Sequence, residues 1–470
     1  MNWRVIVFAF VAWLFCVLQA RAASATYFLA PGGSDSNAGK SLGAPWRTPN
    51  HAIKCGDTIV AAAGVYTGTT NFNYGSWGTV DTAGSSHGQC VAFLKCAAFA
   101  ACTVTSRDAP AMFVTSSNWG IMGFLFSQTA TTLMTNGFAC VQVTPASGVL
   151  AHFIIANNVF NGCYGGAVST NGDDYVNEIA NVVYNSAQTR VACTSGISFF
   201  QPANVDALPG THLYAAQNII YNNVEPSTCG GIGGTGAPSD GEAIIFDTFG
   251  TYSFTGQTVA ENNIGFLNGA GGFEVCGNTT AKIYIVNNTA WANHTHALLN
   301  NTTELGEFAN ACAQNTGVEI SRNIAKTNAA TATIGKNRNY AFYTSGGDAS
   351  VTFNNNFGYS AAGNHTACSN GACAAFSFGP SNTLGTDPGF ANAPSTNPGA
   401  PNCSGYANVP ECMATIIGDF RAAAAPSGWG YQQIISTSVH DPLYPQWLCQ
   451  YSAQLSGLIT QGCLSVNRTK

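Results

Sequence analysis

Seven stretches of the chain share one polar and apolar rhythm. They are "FIIANNVFNG", "EIANVVYNS", "LYAAQNIIYNN", "TVAENNIGFLNG", "IYIVNNTAWAN", "EISRNIAKTN" and "VTFNNNFGYS". Each has a short alternating apolar run, then one or two Asn, then a second apolar pair and usually another Asn. Alternation at period two, with β-branched residues, predicts strands and argues against a repeat of helices, whose period would be 3.6. The anchoring residues are Asn158, Asn181, Asn218, Asn263, Asn288, Asn323 and Asn355, and their closest spacings are 23 and 25 residues. Self-similarity at that period predicts a solenoid. Asn suits its corners because it tolerates the left-handed backbone. Stacked upon itself it can also form a ladder of side-chain hydrogen bonds. The expected fold is all-β: a coil of parallel sheets.

Two further stretches make the pattern specific. "TYFLAPGGSDSNAGKSLGAPWRTPNHA" followed by "CGDTIVAAAGVYTG" resembles the opening strand and cap of the right-handed parallel β-helix proteins of the pectate-lyase superfold. "DGEAIIFDTFG" through "VAENNIGFLNGAGGFEV" to "IYIVNNTAWAN" is similar to the central rungs of its secreted bacterial members. The resemblance covers roughly residues 26 to 360. It implies a parallel β-helix. It does not select an activity, because the superfold hosts lyases, hydrolases, epimerases and adhesins. The expected organisation is a leader over 1–22, an N-terminal cap and first coils over 23–110, the β-helix over 111–378, and a loop-rich, disulfide-tied C-terminal cap over 379–470.

Composition narrows the setting. "MNWRVIVFAFVAWLFCVLQARA" has an early Arg4, an apolar run and a small-residue end at Ala22, the form of a cleaved export leader. The run is short for a membrane span, which needs about 20 apolar residues. The expectation is a secreted or periplasmic protein with no membrane partner once the leader is removed. Cysteine points the same way: there are 17, Cys16 belongs to the leader, and an even number remains, as expected for disulfides. No CxxC spacing suggests zinc. Charged residues are 8% of the chain, with 16 basic against 22 acidic. No basic run offers itself to nucleic acid. A monomer is expected.

With acids so sparse, "SDGEAIIFDTFG" stands out, since Asp240, Glu242 and Asp247 fall within eight positions. Four successive strands, "SGISFFQ", "EAIIFDT", "GGFEVCG" and "HALLNNT", can be stacked so that Gly196, Ala243, Gly272 and Ala297 share a column. Ile197, Ile244, Phe273 and Leu298 then point inward. Asp247 and Glu274 fall on one outer face, one rung apart and offset by two residues. Such diagonal neighbours lie about 7–8 Å apart. Phe200 faces outward one rung earlier, and Asp240 and Glu242 sit in the turn that enters the strand. Carboxylates with an exposed aromatic suit a saccharide site. The spacing fits an inverting hydrolase, whose carboxyls lie about 6.5–9.5 Å apart.

A lyase would instead use the acids to bind Ca²⁺ and a Lys or Arg as base. Lys282, Arg322 and Lys326 do not stack beside Asp247 in this register. His294 and His296 come just after an Asn corner near the Glu274 rung and are candidates to contact substrate. Asp173 and Asp174 in "NGDDYV" resemble the adjacent aspartates of the polygalacturonase family, but that family's Gly-His-Gly and Arg-Ile-Lys are absent, and Asp174 is read as support for a turn. The leading expectation is a secreted enzyme that cleaves an extracellular, acidic polysaccharide as a hydrolase or a lyase. The competing one is a non-catalytic surface or adhesion protein that binds glycans.

Overall fold

The computed structural model describes residues 24–107, 109–128, 139–145, 147–189, 192–226, 229, 238–277, 279–296, 306–311, 315–327, 340–345, 351–360, 367–369, 381–414, 417–427, 429–431, 443–456 and 458. Three long sheets run through them. The first has eleven strands from Thr26–Leu29 to Thr352–Asn354. The second has eleven from Gly64–Thr67 to Thr383–Leu384. The third has nine from Met112–Val114 to Ala367–Ser369. The chain visits first, second and third sheet in turn, then starts the next coil. Each strand therefore pairs in parallel with the strands one coil before and after it. This is a right-handed parallel β-helix, as the repeat and the resemblance led us to expect. The first sheet already begins at Thr26, so the first coils start at the edge of the described chain.

The interior is filled by one apolar side chain per coil in each inward column, and rings stack upon rings. Phe126 lies 4.7 Å from Phe160, and Phe199 lies 5.5 Å from Phe246. Phe273, Phe308 and Phe342 stack in series. Such offset stacks fit the coil spacing of about 4.8 Å.

The corner between first and second sheets carries the Asn ladder. Asn158, Asn181, Asn218, Asn263, Asn288, Asn323, Asn356 and Asn382 each receive on Oδ1 the side-chain amide of the Asn before, or give theirs to the Asn after. The Asn263–Asn288 step measures 2.9 Å. Two expected roles of Asn separate here. The ladder member is the second residue of each corner. The left-handed backbone falls on the residue before it: Asn157, Ala180, Gln217, Asn262, Asn287, Arg322 and Asn355 all have φ between 51° and 61°. Asn355, expected as a ladder member, is therefore the turn residue, and Asn356 carries the ladder. The recurring "NN" dipeptide is this division of labour.

After Thr383–Leu384, which still extends the second sheet, described parts of the C-terminal region lie alongside the coils. Trp447, Leu448, Tyr451, Leu455 and Leu458 pack on the outward apolar column of the first sheet, against Phe93, Ile154, Tyr214 and Val259. Val409, Cys412, Met413, Ile417 and Phe420 cover the second sheet at Val182, Ile219, Ile264 and Phe266. The Cys403–Cys412 disulfide ties this segment, as expected. Four more disulfides are described, Cys55–Cys90, Cys96–Cys102, Cys140–Cys163 and Cys193–Cys229. Of Cys368 and Cys373, a plausible local pair from their spacing, Cys373 lies outside the described residues. Two sheets are thus roofed by the C-terminal region. The third sheet has an outer column that runs Gln142, Ser169, Ser198, Ile245 and then Glu274.

Candidate active site

The stacking of Ile197–Phe200, Ile244–Asp247 and Phe273–Cys276 on the third sheet matches the register read from the sequence. Ile245 pairs with Ser198 on one side and Glu274 on the other, and Asp247 pairs with Phe200 and Cys276. Ile197, Ile244 and Phe273 point inward and are fully buried. Asp247 and Glu274 share the outer face, one strand apart and offset by two residues. The fourth strand is different from the expected one. It is Gly306–Asn310, with Phe308 beside Phe273 and Ala309 beside Glu274. Residues 297–301, expected there, lie outside the described residues. The column of small residues Gly196, Ala243 and Gly272 therefore ends on Glu307, not Ala297.

That replacement has a physical reason. A second ladder runs inside the turns from second to third sheet, through Asn223, Asn268 and Asn293. Small residues leave room for it: a Cβ on Gly196 or Gly272 would come within 3.2 Å of the Asn223 or Asn293 amide. At the last rung the Glu307 carboxylate stands in for the next Asn. It accepts the Asn293 backbone N–H at 3.1 Å and the Asn293 side-chain amide. Burial pushes the Glu307 carboxyl up to about 8, against the pull of those bonds.

Four acids meet at the third-sheet face. Glu242 is fully buried and Glu274 is 6% exposed. Asp240 and Asp247 are half-buried. The Ser195 hydroxyl donates to Glu242 Oε2 at 2.6 Å. Glu242 Oε1 and Glu274 Oε2 are buried without a hydrogen-bond partner. Burial first, then the charge of Asp240, pushes the Glu274 carboxyl up to about 8, while contact with the Glu242 carboxyl works the other way. Burial and then the charges of Glu274 and Asp240 raise Glu242 well above the usual range. Asp240 is pushed up to about 6, by burial and by Asp247, with the Ser239 hydroxyl opposing. Asp247 is raised by burial but held back by Thr248, whose hydroxyl donates to Oδ1 at 2.7 Å. Close acids in an apolar setting cannot all ionise, so they divide into protonated and charged members.

Phe200 flanks Asp247 on the neighbouring strand and is partly exposed. His294 and His296 lie on the turn between second and third sheets. Their backbone N–H groups bond Ala270 and Gly269 oxygens at 2.7 and 3.1 Å. The His296 ring hydrogen-bonds the backbone carbonyls of Pro226 and Glu225, and burial pushes its pKa down. Asp174 belongs to the first sheet. It accepts the Tyr175 and Val205 backbone N–H groups and pairs with His212 at 2.8 Å, a supporting role of the kind expected.

Lys326 lies on the second sheet and pairs with Asp387 at 2.7 Å. Lys282 precedes a first-sheet strand, and Arg322 sits in the corner after another. None of the three reaches the third-sheet face by its place in the fold. Among the described residues, the three ligand-type groups drawn within 4.8 Å of one another are Cys193, Glu225 and Cys229, and the two sulfurs are joined as a disulfide. No step is therefore derived through a metal.

Glu225, Ser195 and Glu307 are the residues the sequence did not reveal. None lies in the seven Asn-rich stretches, and each belongs to a different coil.

No family model matches the chain, and no curated protein matches it in sequence. Among solved structures it is similar to pectate lyase Pel9A, over 90% of this chain and 93% of that one, at 14% identity and a TM-score of 0.45. It is also similar to a rhamnogalacturonan lyase, over 71% and 87%, at 14% identity and 0.39. A GH136 lacto-N-biosidase from Eubacterium ramulus aligns over 77% and 67%, at 10% identity and 0.39. The likeness is one of architecture, which the strand registers establish by themselves.

Proposed function

We propose that the outer face of the third sheet is the active site of an exported carbohydrate-active enzyme that cleaves a polysaccharide by hydrolysis. The observation that carries this reading is the pairing of Glu274, pushed up to about 8, with the more exposed Asp247 on the adjacent strand. At neutral pH Glu274 holds its proton and serves as general acid to the leaving sugar oxygen. Asp247, kept more acidic by the Thr248 hydroxyl, serves as general base on water. Their diagonal offset of about 7–8 Å leaves room for that water and favours inversion. Phe200 offers a ring for a sugar to stack on. Asp240 and Glu242 set the field around Glu274. The absence of a Lys or Arg beside the pair, among the described residues, favours hydrolysis over lysis. An acidic polymer is the substrate we would test first.

The test is incubation of the exported protein with uronate and neutral polysaccharides, with and without chelator. Reducing ends of inverted anomeric form, insensitive to chelator, are expected. Activity should fall as pH rises through about 8, where Glu274 loses its proton. Asp247→Asn and Glu274→Gln should fold normally and lose at least about a hundredfold in turnover. The double variant should lose little more than the worse single one. Unsaturated, ultraviolet-absorbing ends would make the enzyme a lyase. Binding of a polymer without cleavage would make it a glycan-binding protein.

A further inference from the structure

The turn from Asn222 to Ala243 is a long excursion between the second and third sheets, and it delivers Asp240 and Glu242 to the acid face. Its two ends need to be held. Glu225, 3% exposed, is placed to do this. Its Oε1 accepts the Thr194 backbone N–H at 2.6 Å. Its Oε2 accepts the Ser239 and Asp240 backbone N–H groups at 3.2 and 3.1 Å. The Cys229 sulfur lies 3.2 Å from the same oxygen, and its disulfide to Cys193 ties the neighbouring turn. The His296 ring holds the backbone carbonyls of Glu225 and Pro226 from two coils on. Two residues earlier, Asn223 is locked into the inner ladder by Asn268 at 2.8 Å. A rigid line therefore runs from the ladder to Glu225 and from Glu225 to the backbone of Asp240.

We infer that Glu225 is a positioning residue for the acid pair: its carboxylate clamps the Thr194 and Ser239–Asp240 segments together and sets where Asp240 stands relative to Glu274 and Asp247. This rests on the reading of the third-sheet face as the reaction centre. Three bonds from backbone donors offset part of the cost of burying the group, whose pKa burial and then the charge of Asp240 still hold well above the usual carboxylate range. Gln supplies one oxygen acceptor and turns the other position into a donor facing an N–H. Ala supplies nothing. The clamp matters because a small misplacement of an acid-base group costs rate steeply.

The experiment compares Glu225→Ala and the milder Glu225→Gln with the parent on a cleaved polysaccharide, alongside hydrogen exchange read in peptides that contain residues 194 and 239–240. Both variants should exchange those amides faster. Turnover of the folded enzyme should fall by about tenfold to a hundredfold for Ala, less for Gln, with KM changed little. The pH profile should shift, because Asp240 no longer holds its place beside Glu274. A merely structural role would lower melting and leave the profile of the folded fraction unmoved. Unchanged exchange at those peptides overturns the clamp. Faster exchange with an unmoved turnover and profile, in a protein whose Asp247→Asn variant is inactive, overturns the positioning role. Faster exchange with Asp247→Asn still active would instead overturn the reading of the acid face and leave the clamp standing.

Discussion

Glu178 shows what one residue can contribute against the grain of its surroundings. It pairs with Ile155 and Ala215 in an inward column of the first sheet, and it is fully buried. Neither carboxyl oxygen has a partner. Burial holds its pKa well above the ordinary 4.5. The folded chain thus keeps the proton while the unfolded chain releases it above that pH. Because the unfolded state then binds fewer protons, stability falls as pH rises beyond about 4.5, by up to about 1.4 kcal/mol per pH unit, and does not change below it. Glu178→Met removes the titration and keeps the volume. Melting measured from pH 4 to pH 8 should be flatter in the variant, with the gain in stability confined to the upper range. Equal destabilisation at every pH would mean that the carboxyl has a partner in the core. Glu274 and Glu307, both pushed up to about 8, act in the same direction.

The element that carries the coil is the corner, and its two Asn positions should respond differently to mutation. Asn288 accepts from Asn263 through both backbone and side chain. It donates to Asn323 Oδ1 at 3.2 Å and to the Ala260 oxygen at 3.0 Å. Asn288→Ala leaves buried donors and acceptors unmet on both neighbouring rungs, a cost of about 1–3 kcal/mol. Asn287, with φ of 56°, contributes a backbone conformation instead. Asn287→Gly should be close to neutral, because Gly adopts that region without strain. Chemical denaturation of the two variants checks this. Similar losses from both would show that the ladder and the turn are not separate devices. Turnover per folded molecule should survive Asn288→Ala, since the acid face stands on another sheet.

At the scale of the whole molecule, the described C-terminal region covers the first and second sheets. The first sheet presents Phe93, Ile154, Tyr214 and Val259 outward, an apolar strip that would be a liability if bare. The segment around Leu448 lies on it, and the Tyr451 hydroxyl receives the Val91 N–H at 2.6 Å, across 360 positions of sequence. Leu448 is fully buried there. Leu448→Asp places a charge in that seam and should cost about 3 kcal/mol or more. The variant should bind a hydrophobic dye and aggregate on warming, yet cleave normally while folded. Loss of cleavage in a folded variant would mean that this segment also shapes the third-sheet face.

Much of this architecture is local and was therefore legible without coordinates. Each coil repeats the same alternation and the same corner, so the period, the parallel sheets and the register of Phe200, Asp247 and Glu274 come from neighbouring residues alone. The corner pattern also announced the Asn ladder, though not which Asn of a pair carries it, because only the backbone angle separates Asn355 from Asn356. The pattern loses its hold after an irregular turn. In residues 292 to 305 the stretch "HALLNNT" carries the strand pattern without being the stacked strand, so Gly306–Asn310, and with it Glu307, was settled by side-chain packing across coils. Glu225 meets Asp240 only because an excursion folds back, and the C-terminal region finds its sheets through apolar surface hundreds of positions away. Pattern determines contacts repeated at short range; burial over long range decides which sheets the C-terminal region covers.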